Sequence, residues 1–278
     1  MPGAPLALPF VPLHSAAGNC GAAMDFLNLG LTPGALAVAM AVALFAGFVK
    51  GMVGFAMPMI MISALSSFMP PELALAGLIV PTLVTNLSQA FRQGVGPALQ
   101  TVKEYRLFLR AMVVGIALSA FGMKFLPTEA LFLALGLPIT AYSAWQLAGR
   151  SLTFRLEHRR GAELTLGAIG GLYGGFSGVW GPPMLVYLLS TGTPKREMVR
   201  ALGVSFLVGA IMLLAVHVQT GVVTVWTFAF SCLLTVPAQL GMQAGYWAQD
   251  RLDQGRFRWW AQVVLVVMGL NLIRRAIL

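Results

Sequence analysis

Charged side chains are scarce in this chain of 278 amino acids. Asp, Glu, Lys and Arg make up 10% of the sequence, compared with about 25% in an ordinary soluble domain. Histidine occurs three times and cysteine twice, and Cys20 and Cys232 match no metal or redox spacing. The sequence also lacks a Walker motif, which argues against direct use of ATP by this chain. These absences predict two unpaired thiols, no metal site and no soluble domain of any size.

Apolar residues are abundant in this sequence. They form 58% of the chain, and the mean hydropathy is +0.82. Apolar runs of ~17–25 residues recur along the whole length, and each is long enough to cross a bilayer. The net charge of +9 falls between these runs, where basic residues set topology and meet lipid headgroups rather than nucleic acid. We therefore predict an all-α integral membrane protein.

The amino-terminal region has a different composition. Its first 32 residues contain no Lys or Arg, so they lack the basic region of a cleaved signal peptide. Residues 1–23 are rich in Pro, Ala and Gly, and Met24 is an alternative start. We predict that residues 1–32 form a disordered or interfacial extension.

Hydropathy and helix-breaking residues divide the remainder into ten predicted helical segments. They are residues 33–49, 57–69, 73–91, 107–126, 129–148, 162–178, 182–192, 198–217, 223–247 and 257–276.

Two Gly/Pro-rich stretches in this region resemble each other. With an offset of 124 positions, residues 47–71 and 171–195 share seven identities. They are Gly47/Gly171, Gly51/Gly175, Gly54/Gly178, Pro58/Pro182, Leu65/Leu189, Ser66/Ser190 and Pro70/Pro194. Paired, Gly/Pro-interrupted apolar segments in corresponding halves are the sequence feature that best indicates a transporter binding site.

The first broken segment cannot be one straight helix. Residues 33–69 would extend ~55 Å as a helix, much longer than a ~30 Å bilayer core. We therefore expect residues 51–57 to be non-helical and to turn the chain back. The result is either two short spans or a re-entrant hairpin with its tip near the midplane, and residues 162–192 present the same alternatives.

The distribution of basic residues tests this count. With five segments in each half, fourteen of the 18 Lys and Arg fall on one side, three on the other, and Lys50 on neither. The positive-inside rule then places the fourteen in the cytoplasm and both termini outside it. Because five is odd, the second half is inverted relative to the first. We predict a first membrane repeat at 33–149, a basic cytoplasmic linker at 150–161 and a second repeat at 162–278.

The two hairpin tips are the first candidate site. A new helix should start near Met57 and Pro58, and another at Gly181-Pro182-Pro183, since proline suits a first helical turn. Each start offers free N–H groups and partial positive charge, so two starts that face each other would bind an anion. The alternative is that the glycines only permit close helix packing.

Lys50 is the second candidate, because it is the one charged residue away from a predicted membrane boundary. An ionisable residue inside a membrane costs at least ~2.5–3.5 kcal/mol and marks a functional position by default. Its equivalent in the second half is Gly174, so the site would be asymmetric. The alternative is that Lys50 extends to an interface.

Several uncharged polar residues in the segments could line a path for a solute or join helices. They are Asn86, Gln89, Ser177, Trp180, Tyr187, Gln239 and Gln243. Gly175-Phe-Ser177-Gly178 also matches a short string of intramembrane serine proteases, but none of the three histidines is placed to serve as the base. The predicted substrate-binding residues are Lys50, Gly51, Gly54, Met57, Pro58, Asn86, Gly175, Ser177, Gly178, Trp180, Gly181, Pro182 and Gln239.

At these residues the chain resembles the sulfite exporter TauE/SafE family, the toluene sulfonate uptake permeases. The resemblance covers roughly residues 33–276 and rests on three features. They are the two Gly-rich breaks that end in Pro58 and Pro182, the turns at 70–72 and 193–195, and the closing stretch from Leu240-Gly241-Met-Gln-Ala-Gly245 through Arg251-Leu252. The first break, Gly54-Phe-Ala-Met-Pro58, departs from the family's Gly-Gly-Gly pattern. The resemblance implies transport of sulfite, organosulfonates, thiosulfate or similar anions across the inner membrane, without a cofactor or enzymatic activity.

We therefore interpret the chain as a secondary transporter of a small sulfur-containing anion. A passive anion channel and a non-transporting membrane scaffold are the alternatives. The expected partners are the anionic substrate and the lipid bilayer, and not nucleic acid. Coupling to a proton or a sodium ion, the direction of transport and the oligomeric state are left open.

Overall fold

A computed structural model describes residues 31–122, 128–149, 159–177, 181–219 and 224–277 of the chain. All regular structure within these ranges is α-helical. The eleven helices are α1 (Pro33–Val53), α2 (Met57–Leu65), α3 (Pro71–Phe91), α4 (Val95–Glu104), α5 (Arg106–Gly122), α6 (Thr128–Leu147), α7 (Arg159–Ser177), α8 (Gly181–Ser190), α9 (Lys195–Gln219), α10 (Val225–Arg251) and α11 (Gln254–Ile277).

The all-helical prediction is confirmed, and each of the ten predicted segments corresponds to one helix. Four of the described helices, α1, α3, α10 and α11, are long and apolar enough to cross a membrane. Helix α4 is additional and was not predicted, because ten residues with polar and charged side chains do not give the signal of a span. Residues 1–30, and with them most of the predicted extension, lie outside the described residues.

The first broken segment contains one long helix and one short helix. Helix α1 has 21 residues, about 31 Å at 1.5 Å per residue, whereas α2 has only nine. The prediction that residues 51–57 are non-helical is wrong at both ends, because the break is limited to residues 54–56. Gly54 ends α1 with a φ of +89°, a left-handed conformation that glycine adopts without steric cost.

Gly51 lies within α1, and its lack of a side chain permits a close contact with another helix. It does not take part in the break. Helices α1 and α10 run parallel and approach so closely that a Cβ at Gly47 would overlap the carbonyl oxygen of Ala238. A Cβ at Gly51 would likewise overlap the carbonyl oxygen of Met242. From the other side, Gly241 and Gly245 of α10 contact the backbone of α1. Glycines four residues apart on both helices thus form the contact.

Helices α5 and α7 form a second pair of this kind, with α5 from the first half of the chain and α7 from the second. A Cβ at Gly171 of α7 would overlap the carbonyl oxygen of Met112 of α5. Gly171 is the equivalent of Gly47, and α5 falls within the region that is equivalent to α10 at the same offset of 124. The contact between Gly47 and Ala238 in one pair therefore recurs as the contact between Gly171 and Met112 in the other.

Equivalent helices of the two halves pack against each other in opposite directions. In α3 and α9, Gln93 bonds to Arg196, whereas Gln89, earlier in α3, bonds to Val199, later in α9. In α6 and α11, Gly136 lies beside Ile273, and Thr140 lies beside Gly269. Antiparallel packing of equivalent helices is what an inverted repeat requires. The inverted repeat itself stays a prediction of the sequence.

The sidedness of the chain can be tested with single cysteines. In a Cys20→Ser, Cys232→Ser background, Arg256→Cys should react with an impermeant maleimide only from the cytoplasmic side. Val225→Cys should react only from outside, because Val225 lies at the opposite end of α10 from Arg251. Both positions are well exposed, so the reagent can reach them. Labelling of both cysteines from the same side would contradict the predicted topology.

Candidate functional site

The tip of the first hairpin is built from residues 54–56. Ala56 precedes α2 with a φ of +81°, which is uncommon for a residue with a side chain and costs ~1–2 kcal/mol. No side chain caps the start of α2. Pro58 occupies its first turn, as predicted. The first N–H of this short helix with a backbone partner is that of Ile60, 3.1 Å from the oxygen of Ala56. The N–H groups of Met57 and Met59 thus remain at the helix start.

Lys50 lies one turn before this tip, and its side chain is only 1% exposed. Its Nζ donates to the hydroxyl oxygen of Thr85, at 2.8 Å, and to the side-chain oxygen of Asn86. The amine does not extend to an interface. None of the ion pairs among the described residues includes Lys50. A lysine ammonium has three hydrogens, so two are engaged by uncharged oxygens and one is left.

The geometry of α3 fixes the direction of these hydrogen bonds. The Thr85 hydroxyl donates to the carbonyl oxygen of Pro81, at 2.6 Å, so it can only accept from Lys50. Pro81 lacks an N–H and frees the carbonyl of Gly77. The hydroxyl of Ser231 in α10 donates to that carbonyl, at 3.2 Å. The carbonyl group that Pro81 leaves without a helical partner therefore accepts a hydrogen bond from a side chain of α10.

Gln89 connects the tip to the second half of the chain. Its Nε2 donates to the carbonyl oxygens of Gly54 and of Val199 in α9, both at 2.8 Å. Its Oε1 is buried and has no hydrogen-bond partner among the described residues. An unpaired buried acceptor is costly, so this atom can accept from a group that enters the site.

The residues that sequence reasoning missed are Thr82 and Thr85. Together with Asn86 and Gln89 they form a polar stripe at helical spacing on α3, and all four are at most 1% exposed. That spacing within an otherwise apolar segment was a signal available in the sequence. The spacing places all four residues on one face of α3, and this face is turned toward Lys50 and Gly54.

The start of the second hairpin has a different environment. Helix α8 begins at Gly181, with Pro182 in its first turn, as predicted. A Cβ at Gly181 would lie 2.8 Å from the ring of Phe206 in α9. With the same offset of 124, Phe206 and Ala210 replace Thr82 and Asn86. The second half therefore lacks the polar stripe, and the candidate site is one-sided.

The structure brings some of the predicted residues together and separates others. Lys50 and Asn86 meet, and the sulfur of Met57 lies 3.8 Å from the Thr85 hydroxyl. Gly54 joins them through Gln89. The amide of Gln239 bonds Ser88 on another face of α3, at 2.9 Å.

The remaining predicted residues lie elsewhere. Gly51 faces α10, and none of the described hydrogen bonds joins Gly181 or Pro182 to Lys50. Gly175 and Ser177 fall in the last turn of α7, and the surroundings of both are outside the described part. Gly178 and Trp180 lie outside the described residues altogether.

A layer of polar contacts covers the tip on the side that carries most basic residues. Gln249 of α10 donates to the carbonyl oxygen of Met52, at 3.2 Å, and accepts from Arg92, at 2.7 Å. Lys195 of α9 donates to the backbone oxygens of Gln249 and Leu252. Helices from both halves thus meet over the first hairpin.

Discontinuous helices inside a membrane bundle, such as α1 and α2, are typical of the substrate sites of helical membrane transporters. The model of the family described as Sulfite exporter TauE/SafE matches residues 39–272. The chain belongs to this family, whose members are membrane transporters of the sulfite and sulfonate exporter type. No curated protein and no solved structure matches the chain.

Proposed function

We propose that this chain is a secondary transporter that moves a small sulfur-containing anion, such as sulfite, an organosulfonate or thiosulfate, across the inner membrane. The observation that carries the proposal is the buried Lys50, whose ammonium has uncharged partners only. A buried charge without a counter-charge is expensive. An anion that binds beside Lys50 supplies this counter-charge.

The surroundings of Lys50 suit an oxyanion. The donors near the hairpin tip are the N–H groups of Met57 and Met59, the amide of Asn86 and the third hydrogen of Lys50. Sulfite and sulfonates carry several acceptor oxygens, which can be shared among such donors. The partial positive charge at the start of α2 adds to the attraction.

Movement of the anion requires the contacts over the tip to open. Gln249, Arg92 and Lys195 join helices of the two halves, so a displacement of one half against the other would break their hydrogen bonds. Exposed and half-exposed pairs such as Arg92 with Asp250 contribute only ~0–1 kcal/mol each. A cover built from such contacts can open and close at low cost, as alternating access demands.

The test is transport by the purified full-length chain in proteoliposomes. Labelled sulfite should enter or leave at a rate that saturates with concentration, and thiosulfate or a small sulfonate should compete. Collapse of the proton or the sodium gradient identifies the coupling ion. Chloride and an uncharged solute of similar size serve as controls.

Each alternative predicts a different result. Flux that rises linearly with concentration and follows only the anion's own gradient would indicate a passive channel and not a carrier. The absence of flux for every sulfur anion, in vesicles where the protein is folded and correctly inserted, would leave the scaffold as the remaining interpretation.

A further inference from the structure

A basic cleft lies at the N-terminal ends of α5 and α7. Its volume is about 720 Å³, and it is lined by Glu104, Arg106, Leu107, Arg110, Arg159, Arg160 and Glu163. Because α5 and α7 run parallel, their first turns lie side by side and bring four arginines to one place. The charge distribution assigns this end to the cytoplasmic side.

The arginines of the cleft differ in how they are engaged. Arg159 donates to Glu163, at 3.1 Å, and contacts Glu104 at 3.4 Å. Its Nε also donates to the hydroxyl of Tyr187, at 3.2 Å. Both acidic groups of the cleft therefore pair with Arg159.

The guanidinium groups of the other three arginines have no acidic partner among the described residues. Arg106, Arg110 and Arg160 make no ion pair or hydrogen bond within the described part of the chain. Each presents five N–H donors in a planar arrangement that matches the oxygens of a phosphate group. Unpaired arginines around one cavity therefore indicate an anionic ligand with several oxygens.

Helix α4 indicates where the cleft lies relative to the bilayer. Its inner face, with Ala98 and Thr101, is buried, while Val95, Leu99 and Val102 form an exposed stripe on the adjacent face. An exposed apolar stripe on a short amphipathic helix is typical of a helix that lies in the membrane interface. The cleft follows directly at Glu104 and Arg106, which places it at headgroup level.

We propose that this cleft binds the phosphate group of an anionic phospholipid from the cytoplasmic leaflet. Arg106, Arg110 and Arg160 would contact the phosphate oxygens, and Leu107 would face the glycerol and the first part of an acyl chain. This site is separate from the hairpin tip and does not depend on the identity of the transported anion. Free phosphate shares the same chemistry and is the competing source of a ligand.

Native mass spectrometry of the full-length chain in detergent tests the proposal. The protein is titrated with phosphatidylglycerol, with phosphatidylcholine as the neutral lipid, and separately with inorganic phosphate. We expect a preference for phosphatidylglycerol. At about 1 kcal/mol per arginine, Arg106→Gln with Arg110→Gln should weaken its binding about 30-fold. Thermal unfolding of each variant without lipid checks that it is folded.

A matched control separates the cleft from general surface charge. Arg196→Gln with Arg256→Gln removes the same charge from the same side, away from the cleft, and should change binding less than threefold. Equal losses in both double variants, or unchanged binding in the cleft variant, would overturn the proposal. Inorganic phosphate that binds as tightly as the lipid and displaces it would overturn the lipid as the source.

Discussion

Replacement of Lys50 by Met should reduce transport of a dianionic substrate by at least about a hundredfold. Met has nearly the length of Lys and fits the same buried space, so the change removes the charge and not the packing. The remaining positive potential comes from the start of α2, which offers only about half an elementary charge. A dianion in a low-dielectric site needs more compensation than this.

A monoanion should lose less. We expect Lys50→Met to lower the rate for a monovalent sulfonate about tenfold, because the helix start and the Asn86 amide still contribute. Sulfite becomes a dianion as pH rises, so its transport by the variant should fall further at alkaline pH, whereas that of the sulfonate should not. Lys50→Arg should keep part of the activity, limited by its larger planar head group.

Initial rates in proteoliposomes, measured against pH for sulfite and for one sulfonate, provide the comparison. Lys103→Met serves as the matched control, since Lys103 is an exposed lysine of α4 in the same half of the chain. Its rates should stay near those of the unchanged protein. If Lys50→Met leaves both rates and both pH profiles unaltered, Lys50 is not a ligand and its burial has a structural reason only.

The all-helical fold and the order of the ten predicted helical segments followed from the sequence because they depend on composition. Apolar length defines a helix in a bilayer, and Gly and Pro mark its breaks, so the pairs α1–α2 and α7–α8 were predicted as broken segments from residues alone. Helix α4 was not predicted because it is short and has the composition of an ordinary amphipathic helix. Its apolar stripe, with Val95 and Leu99, is recognisable once its place beside α9 is known.

The candidate site was predicted in part for a related reason. Lys50 and Asn86 stand out as polar residues in apolar segments, but only the fold shows that they meet. Gly51 was assigned to the tip because glycine serves both a break and a close contact, and a sequence does not distinguish the two uses. The structure assigns Gly51 to the contact with α10 and leaves Gly54 as the glycine with a left-handed backbone.

This double use of glycine leads to the prediction with the largest effect on folding. Gly241→Val should prevent recovery of folded protein, with a loss of stability of at least about 3 kcal/mol. A Cβ at Gly241 would overlap the carbonyl oxygen of Leu44 and lie 2.9 Å from the amide nitrogen of Phe48. Both atoms belong to the backbone of α1, so no side-chain rotation can make room. The two helices would have to separate along the whole contact.

Gly96→Ala is the matched control, because a Cβ at that position meets nothing within 4 Å. Gly96 lies in α4, where Ala is the better helix former by up to about 1 kcal/mol, so stability should stay equal or rise. Thermal unfolding in detergent and the monodisperse fraction in size-exclusion chromatography measure both variants. A Gly241→Val protein that is monodisperse and unfolds at the original temperature would show that α1 and α10 do not form the close pair described. Because α1 carries Lys50 and Gly54, the first hairpin would then lose the packing against α10 that positions both residues.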